Sequence, residues 1–178
     1  MKKIILLIVL LSAFTFKSHA QKNVIKTNTL SLLIGVASIG YERAVSDKGA
    51  LELVGSYYGA KVEFDSGDET AARGFGVEGK YKFYISREQF APRGWYVAPA
   101  IMYVNASAES GTERGEVSLI GGGAVAGYQW VFGGGSTGFA LDLNLGAQYV
   151  SLDVDGDIDG ANLEGVLPKV GVSIGYSW

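Results

Sequence analysis

The sequence predicts an all-β fold, an eight-stranded antiparallel up-and-down transmembrane β-barrel, and three observations carry that prediction. In residues 170–178 apolar and small residues alternate without a miss. Val170, Val172, Ile174, Tyr176 and Trp178 share one face, and Gly171, Ser173, Gly175 and Ser177 share the other. Strand side chains switch faces at every residue, so one face is wholly apolar and the other has almost no bulk, which suits lipid outside and a crowded lumen inside. Next, the 178 residues include 26 glycines and three prolines, show no sustained helical period after residue 20, and contain no apolar run long enough for a helical span. Such a chain can cross a membrane only as a closed barrel, because closure alone leaves no backbone polar group unpaired in lipid. Finally, acidic clusters at residues 65–70, 109–116 and 153–159 begin 44 residues apart, the length of two strands with one long loop and one short turn.

The chain opens with Lys2 and Lys3, an unbroken apolar run over 4–11 that continues through Ala13, Phe14 and Phe16, and the small-x-small pattern Ser18-His19-Ala20 before Gln21. This reads as a cleaved signal peptide over 1–20, too short for a membrane anchor, followed by one outer-membrane barrel domain over 21–178. No cysteine follows the apolar run, which excludes lipoprotein processing. Cleavage would also remove His19, the sole histidine, from a chain that has no cysteine. A mature protein without either residue lacks Ser-His and Cys-His nucleophilic pairs, the usual zinc ligand sets, haem ligation and disulfides. Loss of Lys2, Lys3 and Lys17 would leave 12 basic against 18 acidic side chains, a net charge of −6, which argues against nucleic acid as a partner.

Turn signals fall midway between the acidic clusters, at Ser46-Asp47-Lys48-Gly49, at 87–93 with Pro92, and at 133–137. The segments between breaks give strands near 27–34, 38–45, 50–64, 73–86, 94–108, 116–132, 138–153 and 162–178, an even number as a single-chain bacterial barrel requires. Residues 29–45 are the open point, since they could form two strands or one long kinked strand. The apolar phase changes across 35–38, from Leu30, Leu32 and Ile34 to Ile39 and Tyr41, as a turn or a bulge would produce. With an even count both termini fall on the periplasmic side and the acidic clusters become extracellular.

Alternation assigns faces. In 139–149 the odd positions Phe139, Leu141, Leu143, Leu145, Ala147 and Tyr149 oppose Asp142, Asn144 and Gln148; in 75–85 Phe75, Val77, Tyr81, Phe83 and Ile85 oppose Glu78, Lys80, Lys82 and Tyr84. A charge facing lipid at mid-depth costs about 2–4 kcal/mol, so Glu78, Lys80, Lys82 and Asp142 should point into the lumen, joined by Glu42 and Glu52. Strands 94–108 and 116–132 are apolar on both faces and take no assignment. Aromatics gather at both strand ends, with Phe83, Tyr84, Trp95, Tyr96, Trp130, Phe132, Phe139, Tyr176 and Trp178 toward the periplasm and Tyr57, Tyr58, Phe64, Phe75, Tyr103 and Tyr149 toward the other side, as two interfacial girdles would require.

On these patterns the chain resembles the small eight-stranded outer-membrane barrels related to OmpA and OmpX. The run TLSLLIGVASIGYERAVSDKGALELVGSYYG, residues 29–59, resembles a Bacteroidota family of such barrels of unknown function. The alternating end Val170, Val172, Ile174, Tyr176, Trp178 is similar to the C-terminal signal that the barrel-assembly machinery reads in such proteins. The resemblance implies a fold and a Gram-negative compartment and carries over no catalytic residue.

Three motifs bear on chemistry. Asp153, Asp155, Asp157 and Asp159 in DVDGDIDG space carboxylates as a calcium loop does, but counting from Asp153 puts Ile158 where glycine is needed, and counting from Asp155 puts Val166 at the last ligand position. A solvated acidic hairpin tip is the plainer reading, with weak divalent binding as its competitor. The triplets 121–123 and 133–135 are glycine-rich, yet no Lys-Ser or Lys-Thr follows and no helix begins there, so nucleotide binding is not indicated. Asn105-Ala106-Ser107 matches a glycosylation acceptor, a reading at odds with a bacterial barrel. The sequence therefore predicts a non-enzymatic, monomeric outer-membrane barrel without cofactor, in contact with outer-membrane lipid and lipopolysaccharide, with a structural or surface-interaction role. A narrow solute or ion channel is the principal alternative, since lumen charges are how channels select. A lipid-modifying enzyme and a soluble lipocalin-like barrel are the others, the latter at odds with the apolar outer face of 139–149.

Overall fold

Alternation of large apolar with small or polar residues gives each segment one face for lipid and one for a lumen, and antiparallel pairing of successive segments needs only short turns. The computed structural model describes residues 22–63, 69–110, 113–133, 137–156 and 163–178. Its strands are β1 (Asn23–Asn28), β2 (Val36–Ser46), β3 (Gly49–Glu63), β4 (Glu69–Tyr84), β5 (Gly94–Ser110), β6 (Glu113–Phe132), β7 (Gly138–Gly156) and β8 (Leu163–Ser177), with one short helix α1 (Thr29–Leu33). They form a closed barrel in sequence order, every neighbour antiparallel, closed by β1 against β8. The predicted segment 1–20 lies outside the described residues, as do Phe64, Asp157, Asp159 and the side chains of Asp153 and Asp155.

The strand count matches the sequence prediction, but the first strand does not lie at 27–34. It occupies Asn23–Asn28, and residues 29–45 hold neither two strands nor one long kinked strand but a helix, Thr29–Leu33, followed by β2 from Val36. The side-chain oxygen of Asn28 accepts from the backbone N–H groups of Leu30 (3.0 Å) and Ser31 (3.3 Å), which supplies the N-cap that starts this turn. Gly35, at φ 76°, then lets the chain reverse into β2.

The short-turn end is tightly built. Asp47 and Lys48 alone connect Ser46 to its partner Gly49. Residues 85–93 fold back across the barrel mouth, where Ala91 and Pro92 are buried and the Ala91 N–H donates to the Asp47 carbonyl at 2.9 Å. Lys48 stands over the Phe90 ring and donates to the Ser86 and Gln89 carbonyls, tying this loop down. At the β6–β7 turn Gly138 has φ 142°, and a Cβ there would run into the Phe132 carbonyl, so only glycine closes the hairpin. The small apolar core of the molecule, Ala44, Ala50, Ala91, Ala98, Val125, Tyr84 and Tyr96, packs inside this end.

Apolar residues otherwise point outward. Leu53, Val77, Ile101, Leu145 and Ile174 are exposed, Ile101 and Leu145 by 63% each. The two strands that alternation could not orient are now resolved: Trp95, Val97, Ile101 and Tyr103 face out from β5, and Ile120 and Phe132 from β6. The aromatic assignment needs correction at three positions. Tyr84 and Tyr96 are buried inside the barrel and Tyr58 faces the lumen, so none of the three belongs to an outer girdle.

Candidate functional site

The lumen near the short-turn end holds a cluster of ionised and polar side chains, and register explains how it forms. Glu42 pairs across from Glu52, Glu52 from Lys80, and Gln129 from Asp142, while inward-facing Lys26 and Lys82 stand at neighbouring levels of the same face. Gly40, the partner of Lys26 on β2, leaves space that a Cβ would share with Lys26 and Glu52 at 3.4–3.5 Å.

Two ammonium groups share one set of acceptors. Lys26 Nζ donates to Glu42 Oε2 (2.7 Å), Asp142 Oδ2 (2.7 Å) and Gln129 Oε1 (2.9 Å). Lys82 Nζ donates to the same three atoms at 2.8, 2.6 and 3.0 Å. Glu52 Oε2 lies 3.3 and 3.2 Å from the two nitrogens, attracted by charge although it makes no hydrogen bond of good geometry. The remaining polar atoms are satisfied outward: the Tyr84 hydroxyl donates to Glu42 Oε1 and the Tyr96 hydroxyl to Asp142 Oδ1, each at 2.6 Å, and Gln129 Nε2 donates to the Pro92 carbonyl at 2.6 Å. Lys82 Nζ also sits 4.2 Å from the Tyr96 ring centroid. Strands β1 through β7 each contribute a side chain, and Lys82, Glu42 and Gln129 are wholly buried. Tyr96 fits because residue 127 is glycine; a Cβ there would lie 2.6 Å from its hydroxyl oxygen.

Above this floor a second tier of charge lines the lumen. Lys80 is 3.4 Å from Glu52 and 3.8 Å from Glu78, and Lys169 pairs with Glu78 and donates to Gln148 at 3.2 Å. Across both tiers four lysines, Lys26, Lys80, Lys82 and Lys169, meet four carboxylates, Glu42, Glu52, Glu78 and Asp142, so the lumen charges balance. A cavity of about 290 Å³ lies on this second tier, lined by Glu78, Lys80, Lys169, Asn144, Ser56 and Tyr58 among others.

The structure thus gathers Glu42, Glu52, Lys82 and Asp142 into one cluster and sets Glu78 and Lys80 in the tier above. Sequence reading missed Lys26, Gln129, Tyr96 and Lys169, and it set Tyr84 both on the inner face of 75–85 and in an aromatic girdle. Lys26 was lost with the misplaced first strand. Gln129 stood in a strand apolar on both faces. The parity of Tyr84 with Lys80 and Lys82, and of Lys169 with Gly171 and Gly175, was a signal that places both inside. Among the described residues Glu42, Glu52 and Asp142 also form the one three-carboxylate grouping with ligand atoms within 4.8 Å, but two ammonium groups bridge those oxygens, so the cluster is an ion-pair lock and not a metal cage. The outward residues Val170, Ile174, Tyr176 and Trp178 are all exposed, and the Trp178 backbone pairs with Asn23 in both directions at 2.9 Å.

Fold and site together define a small closed barrel with an apolar exterior and a side-chain-filled floor of paired charges. The chain belongs to the family described as "Protein of unknown function (DUF3575)", whose sequence model matches residues 5–157. Among solved structures the chain is similar to the one titled "Crystal structure of Neisserial surface protein A (NspA)", at 15% identity over 88% of this chain and 92% of that one, with a TM-score of 0.49. No curated protein matches the chain. The barrel assignment here rests on the strand ladders themselves.

Proposed function

We propose that the protein is a non-enzymatic integral barrel of a bacterial outer membrane, acting in envelope structure or in surface contact through the end that carries the acidic clusters. The observation that carries this reading is inversion: large apolar side chains cover the outside while charged ones fill the inside. A soluble protein of this size does not expose a continuous apolar belt, whereas a bilayer requires one. A signal peptide over 1–20, periplasmic termini, lipopolysaccharide as a neighbour and the assembly signal at Val170, Val172, Ile174, Tyr176 and Trp178 belong to the same reading.

The floor supports a non-catalytic, non-conducting role, because its carboxylates and ammonium groups are engaged with one another and Lys82, Glu42 and Gln129 are wholly buried. Membrane fractionation with heat-modifiable gel migration tests the reading. The protein should appear in the outer-membrane fraction and migrate faster unheated than boiled; recovery in the soluble periplasm, with migration independent of heating, would overturn it.

A further inference from the structure

A strand that crosses a bilayer needs about 9–11 residues, and β3 through β8 all exceed that length. β1 has only six, from Asn23 to Asn28, and its partner β2 begins at Val36. Above Asn28 the wall between β8 and β3 is made by α1 with Ile34 and Gly35. Contacts at both ends fix the height of this segment. At its start the Thr29 hydroxyl donates to the Val172 carbonyl at 2.9 Å. Val172 is the fourth of the seven alternating apolar positions from Val166 to Trp178, so α1 begins at the middle of the apolar belt. At its end a Cβ on Gly35 would lie 3.4 Å from the Gly59 carbonyl oxygen. Gly59 follows the outward Tyr57 and pairs with the exposed Arg73, the first charge on the outer face of β4, so the segment finishes where the belt does.

What lies between these two heights is built as hydrocarbon requires. The N–H groups of Leu30 and Ser31 donate to the Asn28 side chain, and those of Ile34 and Gly35 donate to the Ser31 and Leu32 carbonyls at 3.2 Å each. The Ser31 hydroxyl donates to the Asn28 carbonyl at 2.9 Å and lines the lumen. Polar groups are thus turned inward and bonded within the protein. Leu30, Leu32, Leu33 and Ile34 are all exposed, Leu33 by 82% and Ile34 by 75%.

We infer that α1 is embedded in the outer leaflet, its leucines lying against acyl chains from the middle of the bilayer to the edge of the hydrocarbon. It replaces the upper part of β1 and β2 and completes the apolar belt on the side where the strands stop short. A helical turn suits that depth because its hydrogen bonds are internal, whereas an irregular loop would leave backbone groups bare in lipid. The inference rests on the membrane-barrel reading. Because Leu33 is so exposed, replacing it removes little contact inside the protein, and the cost reports on what surrounds it.

The full chain, which has no cysteine, can be refolded into phosphatidylcholine vesicles with one nitroxide label at Leu33→Cys, at Ile101→Cys on the belt, or at Glu88→Cys on the exposed loop. Power saturation with oxygen and with a water-soluble nickel chelate then reads the surroundings of each label. The label at 33 should match the one at 101, relaxed by oxygen and closed to nickel, while the label at 88 is open to nickel. In the same vesicles Leu33→Arg should lower the folding equilibrium constant about tenfold relative to Leu33→Ala, as a charge within the leaflet does. A nickel response at 33 equal to that at 88, or equal stability of the two variants, overturns the embedding and leaves the barrel reading standing. A label at 33 closed to both reagents overturns it in favour of a covering protein surface. Nickel access at 101 overturns the barrel reading itself.

Discussion

Replacing Lys82 by methionine would leave the buried Glu42, Glu52 and Asp142 facing the single ammonium of Lys26. An uncompensated buried charge of this kind costs about 3–5 kcal/mol, against about 0–1 for an exposed pair. Lys82→Met should therefore lower unfolding stability in guanidinium by an amount in that range, with the slope of the transition unchanged. Tyr84→Phe removes only the hydroxyl that donates to Glu42 Oε1, and about 1–3 kcal/mol is the expected loss. Because burial shields these pairs from screening, both deficits should persist in high salt, and a deficit that vanishes at high ionic strength would mean that the cluster is open to solvent.

At the scale of elements, α1 and β8 carry separable tests. Asn28→Ala deletes the cap of α1, and a loss of about 0.5–2 kcal/mol is expected in the same unfolding experiment, because two N–H groups lose their acceptor. For β8, Trp178→Ala keeps the backbone pairing with Asn23 and removes the ring that lies 6.5 Å from Tyr41. If this end is an assembly signal, the heat-modifiable fraction formed in cells should fall well below that of the native chain, whereas refolding of the purified variant in detergent should be nearly unchanged. Equal losses in both settings would make the ring a packing contact only. These two elements also mark how far the sequence was legible. β8 was readable because its alternation runs unbroken to Trp178, with small residues on the inner face. α1 was not, since five residues cannot display a helical period and Leu30 and Leu32 alternate with Ser31 as a strand would. That error hid Lys26, because the strand that carries it was set too late in the chain. The floor cluster was legible in its charges, which lipid excludes from the outer face, and in the parity of Tyr84, but illegible in Gln129 and Tyr96, whose polarity is compatible with either face until register is known.

At the scale of the whole molecule, the described barrel is stoppered at the end that carries the floor. Eight strands enclose an interior only wide enough for side chains to fill, and here the floor is filled twice, by the ion-pair cluster and by residues 85–93 folded across the mouth. Planar-bilayer recordings of the native protein should therefore show no stable unitary steps, and steps of constant size would show that the floor opens. The same geometry predicts a sidedness that can be read chemically, because the chain contains no cysteine and any introduced thiol reports alone. Ser56 lines the cavity above the floor, whereas Ala98 is wholly buried at the opposite end. A membrane-impermeant maleimide added to intact cells should label Ser56→Cys and leave Ala98→Cys unmodified, since the cavity lies on the far side of the floor from Ala98 and the floor stops the reagent. Labelling of Ser56→Cys only after the outer membrane is permeabilised would reverse the orientation. Labelling of both in intact cells would mean that the lumen is continuous, which the locked arrangement of Lys26, Lys82, Glu42, Asp142 and Gln129 forbids.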